Sequence, residues 1–288
     1  MPAIKLISLD VDGTLLSSSG ELPSRNLEAV QAAIQKGIRV VLNTGKPPCT
    51  LKELVKVIGL RDPVSTLGGA LILDVADRED WQPIHSDQLP EDLLSRLRDL
   101  IGELPLTVQV NTAGDTCFFL GKEDPGYLDY FNNHYLNKNG FPSARIMDRA
   151  PWDGDYLDPA AVIKVTFHSD QAEAVDVAFQ RIKAIEDKII MIGYSSPRTI
   201  DISPRTSGKR EAIEFLCGLY DLGPANVMAL GDYETDLDLI NWAGMGAVMG
   251  NAPDFVKARA PRIAPDNDLA GVAAMIEQHV LSDPAQLG

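Results

Sequence analysis

Two carboxylates separated by a single residue, Asp10 and Asp12 in the segment DVDGT (residues 10–14), offer the first chemistry in the chain. Side chains two apart on an extended chain point the same way, so both can address one spot, and Gly13 permits a turn there. Carboxylates so close repel each other, and a bound cation is the usual remedy. An acidic turn that caps the following segment is the alternative reading. A second segment, NTGK (Asn43 to Lys46), offers the Thr44 hydroxyl and the backbone amides around Gly45 to an anion, or is an ordinary turn. Lys209 follows Ser207 and Gly208 where a helix is expected to begin, a place the helix dipole makes unfavourable for a cation. A local anion would explain it; a solvated lysine would also fit. The fourth segment, GDYETD (Gly231 to Asp236), again sets carboxylates in a loop that opens a helix, with Asp232 as a possible N-cap.

Each of these segments sits at a predicted boundary. The apolar run Ile4 to Leu9 reads as a buried strand ending at Asp10, and Leu27, Val30 and Ile34 mark a helix over residues 23–36 stopped by Gly37. A strand over 38–42 ends at Asn43, a helix covers 51–58, and a strand follows near 64–67. This alternation is the grammar of a parallel α/β sheet, whose ligand sites lie beyond the carboxyl ends of its strands. It changes near residue 74. A hairpin over 106–120, a helix after Asp124 and Pro125, a strand at 161–167, a helix at 171–185 and a strand at 189–194 suggest a mixed α+β insert. The α/β rhythm then returns with a strand at 199–202, a helix at 209–219, a strand at 227–230, a helix at 235–242, a strand at 247–249 and a last helix at 269–281. The expected architecture is a doubly wound, Rossmann-like parallel-sheet core over residues 1–84 and 195–288, interrupted by an α+β domain over 85–194.

Composition narrows the partners. The 288 residues carry 41 Asp and Glu against 26 Lys and Arg, a formal charge of −15, which repels a nucleic-acid backbone over most of the surface. Cys49, Cys117 and Cys217 form neither a disulfide framework nor a zinc motif, and His85, His134, His168 and His279 are scattered. Charges interrupt every apolar stretch before it reaches membrane-spanning length, so a soluble, cytoplasmic protein is expected.

The ordered set of Asp10-Val11-Asp12-Gly13-Thr14, Thr44-Gly45, Lys209 and Gly231-Asp232 through Asp236, with the tail Met249-Gly250-Asn251-Ala252-Pro253, resembles the haloacid dehalogenase-like hydrolase superfamily. Within it the resemblance is to Cof-type phosphatases with an α+β cap, subclass IIB. The resemblance implies that Asp10 is a nucleophile toward phosphorus and that Asp12 is the acid and base. It implies Mg²⁺ held by Asp10, the Asp12 carbonyl and Asp232, with Asp236 as ligand or support, and Thr44, Gly45 and Lys209 as binders of the phosphoryl oxygens. The implied substrate is a small phosphorylated metabolite, most plausibly a sugar phosphate, hydrolysed through an aspartyl phosphate. A mannosyl-3-phosphoglycerate phosphatase-like enzyme, a phosphomutase, and a phosphate-responsive binding module are alternatives. Three positions depart from the family pattern: Thr235 stands for a frequent Asn, Lys46 for a frequent Arg, and Gly68-Gly69-Ala70 for Asn-Gly-Ala. Lys46, Gly69 and Asn251 are therefore candidates for substrate contact. In the insert, Tyr127, Tyr130, Phe131 and Tyr135 are read as cap core or substrate wall, and His134, Lys138, Arg145 and Trp152 as further candidates.

Overall fold

The computed structural model describes residues 3–77, 80–112, 117–120, 144–147, 161–186, 190–196 and 198–282. The chain divides into two compact units, Met1–Gly45 with Leu54–Gln82 and Gly208–Gly288, and Lys46–Glu53 with Pro83–Ser207. Its first segment holds β1 (Leu6–Leu9), α1 (Ser24–Gln35), β2 (Arg39–Leu42), α2 (Lys52–Ile58), β3 (Val64–Thr66) and β4 (Leu71–Asp74). There follow β5 (Gln82–Ser86), α3 (Leu93–Ile101), β6 (Thr107–Thr112), β7 (Cys117–Leu120), β8 (Ala144–Met147), β9 (Val162–His168), α4 (Ala172–Lys183), β10 (Ile190–Ser196) and β11 (Thr199–Pro204). The last segment holds α5 (Lys209–Leu219), β12 (Val227–Gly231), α6 (Leu237–Trp242), β13 (Met245–Val248), α7 (Asp254–Lys257) and α8 (Gly271–Ile276).

In the first unit a parallel sheet runs in the order β13-β12-β1-β2, with Leu6 opposite both Val227 and Arg39. A parallel bridge between Asn43 and Ser65 carries the pairing on toward β3, and β4 folds back antiparallel on β3. The strands are buried on both faces and so read as nearly continuous apolar runs. Leu6, Val41, Val227 and Ala229 pack with Ala212, Ile213, Leu216 and Cys217 of α5 and Leu237 and Ile240 of α6. Alternation turns Ile7, Leu9, Val40, Leu42, Met228 and Leu230 the other way, and all are buried. The helices α1 and α8 pack on each other, tied by Asn26, whose Oδ1 accepts from the Ala273 amide at 2.9 Å. The expected doubly wound core is what the chain forms. From β1 it proceeds to β2 on one side, and from β12 to β13 on the other, so the loops after β1 and β12 diverge. Such a reversal opens a crevice at the carboxyl edge of the sheet.

The second unit carries a sheet in the order β10-β11-β9-β6-β7-β8, antiparallel except for β7 with β8. One face is apolar: Val108, Val110, Val165, Phe167, Ile200 and Ile202 pack against Leu93, Leu97 and Ile101 of α3 and Val175, Ala178 and Ile182 of α4. The register places Thr107, Gln109 and Asn111 beside His168, Thr166 and Lys164 on the opposite, polar face.

The largest correction concerns β11, which was expected to return the chain to the core. It pairs antiparallel with β9 and β10, so the unit ends at Ser207 rather than at residue 194. The reason lies in its own pattern, Thr199-Ile200-Asp201-Ile202, in which polar and apolar residues alternate. A strand buried on both faces of a parallel sheet does not alternate in this way. The elements β4, β5, α3 and β8 were not anticipated, although Leu93, Leu94, Leu97 and Ile101 form a readable helical stripe. The expected helix after Pro125, with Tyr127, Tyr130, Phe131, His134, Tyr135 and Lys138, lies outside the described residues, as does Trp152; Arg145 belongs to β8. Among the described residues, no helix is long and apolar enough to cross a membrane.

Candidate active site

All four chemical segments reach the carboxyl edge of the first unit's sheet, and three of them bring charged side chains together there. Asp10 directly follows β1 and is buried, because the chain turns at once through Val11 and Thr14, which are buried too. That turn depends on Gly13, whose φ of +71° is left-handed and whose missing Cβ leaves room for Asp232: a Cβ there would stand 2.3 Å from Asp232 Oδ2. Lys209 is the first residue of α5 and is 8% exposed. Its Nζ donates to Asp10 Oδ1 at 2.7 Å and to Asp236 Oδ1 at 2.6 Å. The cation expected to be unfavourable at a helix start is thus held by two carboxylates, and the solvated alternative is excluded.

The loop after β12 folds around Asp236. The amides of Asp232 and Tyr233 donate to Asp236 Oδ2 at 3.3 and 3.1 Å, so both oxygens of Asp236 are engaged. Asp236, rather than Asp232, gathers the loop's amides. Gly231 makes room for it, since a Cβ at Gly231 would lie 2.3 Å from Asp236 Cγ. Asp232 is half-buried and accepts from the Thr14 hydroxyl at 3.3 Å. Carboxylate oxygens of Asp10, Asp232 and Asp236 lie within 4.8 Å of one another.

This crowding sets the electrostatics. Burial, followed by the repulsion of Asp236 and Asp232 and opposed by Lys209, pushes the Asp10 carboxyl up to about 7. Burial and Asp236 raise Asp232 to about 6. For Lys209 burial favours loss of the proton, but Asp10 and Asp236 together outweigh it, so its affinity for the proton rises above the ordinary lysine value. Three carboxylates surround one ammonium, and a further positive charge would relieve them. Hard carboxylate oxygens at this spacing suit a small divalent cation such as Mg²⁺, so the residues present fit one.

The remaining candidates separate. Asp12 is exposed and its carboxylate is not part of the acidic trio, because Val11, which lies between it and Asp10, has helical rather than extended backbone angles and so does not align the two side chains. Thr44 is buried at the edge beside β2, where its amide donates to the Ser65 carbonyl at 2.9 Å, and Gly45 is exposed. Lys46 is half-buried and belongs to the segment Lys46–Glu53 of the other unit. Asn251 is a strut rather than a free contact: its Nδ2 donates to the Gly13 carbonyl at 2.8 Å and its Oδ1 accepts from the Asn267 amide at 3.2 Å. Gly69 has φ +99°, and a Cβ there would stand 2.1 Å from the Gly208 carbonyl oxygen, so it serves a close backbone approach. Sequence reasoning gave no role to Thr14, Asn43 or Asn267; the first two lie inside segments already singled out, but nothing in their spacing says what they bond.

A family model described as haloacid dehalogenase-like hydrolase matches residues 7–276. The chain belongs to this family. Among its relatives is the Bacillus subtilis (strain 168) protein named 5-amino-6-(5-phospho-D-ribitylamino)uracil phosphatase YcsE, 26% identical over 281 residues, covering 96% of each chain. A haloacid dehalogenase-like hydrolase from Bacteroides thetaiotaomicron has a similar structure, with a TM-score of 0.82 at 26% identity, over 96% of this chain and 99% of that one. The fold is also that of a haloacid dehalogenase subclass IIB sugar phosphatase, with a TM-score of 0.75 at 20% identity over 95% and 98% of the two chains. Family membership makes the protein a hydrolase, and the converged Asp10, Lys209 and Asp236 lie in the segments by which the sequence resembled this family.

Proposed function

We propose that the protein is a Mg²⁺-dependent phosphomonoesterase for a small phosphorylated metabolite, a sugar or polyol phosphate. The observation that supports it best is the buried triad of Asp10, Lys209 and Asp236 at the carboxyl edge of a parallel sheet. The protonated lysine opposes the rise that burial imposes on the Asp10 carboxyl and aims one of its oxygens, as a nucleophile requires, while the ammonium offers charge to an incoming phosphoryl oxygen. Asp10 attacks phosphorus and forms an aspartyl phosphate as the ester oxygen leaves. Asp12, exposed and two residues on, gives that oxygen a proton and then takes one from the water that hydrolyses the acyl phosphate. Thr44, Gly45 and Lys209 bind the phosphoryl oxygens. Mg²⁺, held by Asp10, Asp232 and the Asp12 carbonyl, would supply charge neutralisation for the phosphoryl group. Asp236 supports the site: one oxygen fixes Lys209 and the other fixes the Asp232 loop.

The relative YcsE carries in its name a phosphorylated ribityl compound, which favours a polyhydroxylated leaving group here. The inserted unit, read as the cap, would choose among such groups, and the polar face of its own sheet, where Lys164, Thr166 and Asp201 bond one another, carries side chains of matching chemistry. Release of inorganic phosphate from an aryl phosphate and from a panel of sugar and polyol phosphates, with and without Mg²⁺, tests the proposal. Turnover of the aryl ester that needs Mg²⁺, and preference for a subset of the metabolites, is expected. Absence of any Mg²⁺-dependent phosphate release would refute it.

A further inference from the structure

The face of the core sheet that packs on α5 is apolar at Leu6 and Val41 but turns polar at its carboxyl edge, where Ser8, Asn43 and Ser65 lie side by side, each at most 1% exposed. Asn43 is the centre of this group. Its Oδ1 accepts from the Ser65 hydroxyl at 2.8 Å, and its Nδ2 lies 3.3 Å from Ser8 Oγ and donates to the backbone carbonyl of Lys209 at 2.8 Å. That last bond joins the end of β2 to the first residue of α5. A carbonyl in the first turn already serves the amide four residues on, so the Asn43 bond is an added tie rather than a part of the helix ladder. On its other side the start of α5 meets Gly69, whose left-handed backbone touches the Gly208 carbonyl so closely that no side chain fits.

We infer that Asn43 is a positioning residue: it fixes the first turn of α5 along the sheet and thereby sets the Lys209 ammonium against Asp10. The packing of Ile213 and Leu216 fixes the body of the helix, but the first turn is the part of a helix that frays, and here a glycine, Gly208, stands just before it. Asn43 also precedes Thr44 on the same strand end. One buried amide therefore registers the two groups that the proposed function assigns to the phosphoryl oxygens. Only an amide both accepts from Ser65 and donates to Lys209; aspartate keeps the shape and the first bond but turns a lone pair toward the carbonyl.

This inference rests on the phosphatase reading, and the test separates the two. The full-length protein in Mg²⁺ is assayed with an aryl phosphate, and inorganic phosphate binding is measured by calorimetry, for Asn43→Ala, Asn43→Asp, Ser65→Ala, Lys209→Met and the double variant Asn43→Ala/Lys209→Met. A displacement of the order of 1 Å costs about 100-fold in rate, so Asn43→Ala and Asn43→Asp should lower kcat about 10- to 100-fold, with a smaller change in KM. Phosphate binding should weaken in both, and Ser65→Ala should lose much less. In the Lys209→Met background, Asn43→Ala should cause no further loss, because the residue acts through Lys209. If either variant fails to fold by circular dichroism, the other decides. Losses that multiply in the double variant, equal losses in Ser65→Ala, or unchanged kinetics in the Asn43 variants would overturn the inference while leaving the phosphatase reading intact. A Lys209→Met enzyme with unaltered turnover and phosphate binding would instead remove the reading on which it rests.

Discussion

Lys209 Nζ lies 2.7 Å from Asp10 Oδ1, a bond between residues 199 positions apart that joins the first strand of the chain to a helix of its last segment. The same ammonium holds Asp236, so its removal leaves two buried carboxylates facing each other. Breaking a buried pair by removing one partner costs about 3–5 kcal/mol. The Lys209→Met protein should therefore melt well below the parent in metal-free buffer. A divalent cation can take the place of the lost charge, so Mg²⁺ should raise the melting temperature of Lys209→Met more than that of the parent. Equal Mg²⁺ shifts in the two proteins would show that the acidic trio does not share its compensation between lysine and metal.

Asp10 and Asp12 should be separable by where they sit. Asp10 is buried against Lys209, whereas Asp12 is exposed. Both Asp10→Asn and Asp12→Asn should abolish turnover of an aryl phosphate, but Asp12→Asn should change the melting temperature less than Asp10→Asn, since substitutions at exposed positions usually cost less than those at buried, hydrogen-bonded ones. Rapid-quench labelling with a phosphodonor should find no phosphoryl-enzyme in Asp10→Asn. Label retained in that variant would place the nucleophile elsewhere.

The ordered motifs made the core legible because each apolar run ends at a residue with a distinct chemical sense. Leu9 gives way to Asp10, Leu42 to Asn43 and Gly231 to Asp232, and a parallel sheet gathers such ends on one edge. Lys209 was legible for the same reason, as a cation where a helix start disfavours one. What escaped the sequence was of two kinds. The place of β11 after the insert points to the core, whereas its alternation belongs to an antiparallel sheet with one polar face, and the alternation prevails. Asn43 and Asn251 were not assigned their roles because an asparagine's partners are backbone carbonyls and amides of residues far off in the chain, which spacing does not encode.

Gly13 offers a test of the turn itself. Its φ of +71° is left-handed and costs an alanine about 1–2 kcal/mol, and the added Cβ would meet Asp232 Oδ2. Gly13→Ala should thus lose modest stability but should weaken Mg²⁺ activation more severely, because Asp232 must move away from Asp10. Titration of activity with Mg²⁺ checks this: the half-saturating concentration should rise several-fold. An unchanged value would mean that Asp232 takes no part in holding the cation.

The polar face of the inserted sheet gives the last prediction. Lys164 Nζ bonds Asp201 Oδ2 at 2.8 Å, and Asp201 Oδ1 accepts from the Thr166 hydroxyl at 2.7 Å, so a cation, a carboxylate and a hydroxyl share neighbouring strands β9 and β11. Such a set matches a leaving group with several hydroxyls better than an apolar one. Lys164 and Asp201 are only 13% and 22% exposed, so Lys164→Met leaves a largely buried carboxylate without its cation and should cost about 1 kcal/mol or more in stability. If this face reads the leaving group, the variant should keep its kcat for an aryl phosphate, which presents no hydroxyls to read. It should at the same time lose kcat/KM about tenfold for the best polyol or sugar phosphate, the value of one hydrogen bond to a charged group. The ratio of the two kcat/KM values is the quantity to measure, since it cancels any general loss of active protein. A ratio equal to the parent's would move the choice of leaving group off the Lys164 face, with Lys46 and the Gly68-Gly69 turn as the residues to change next.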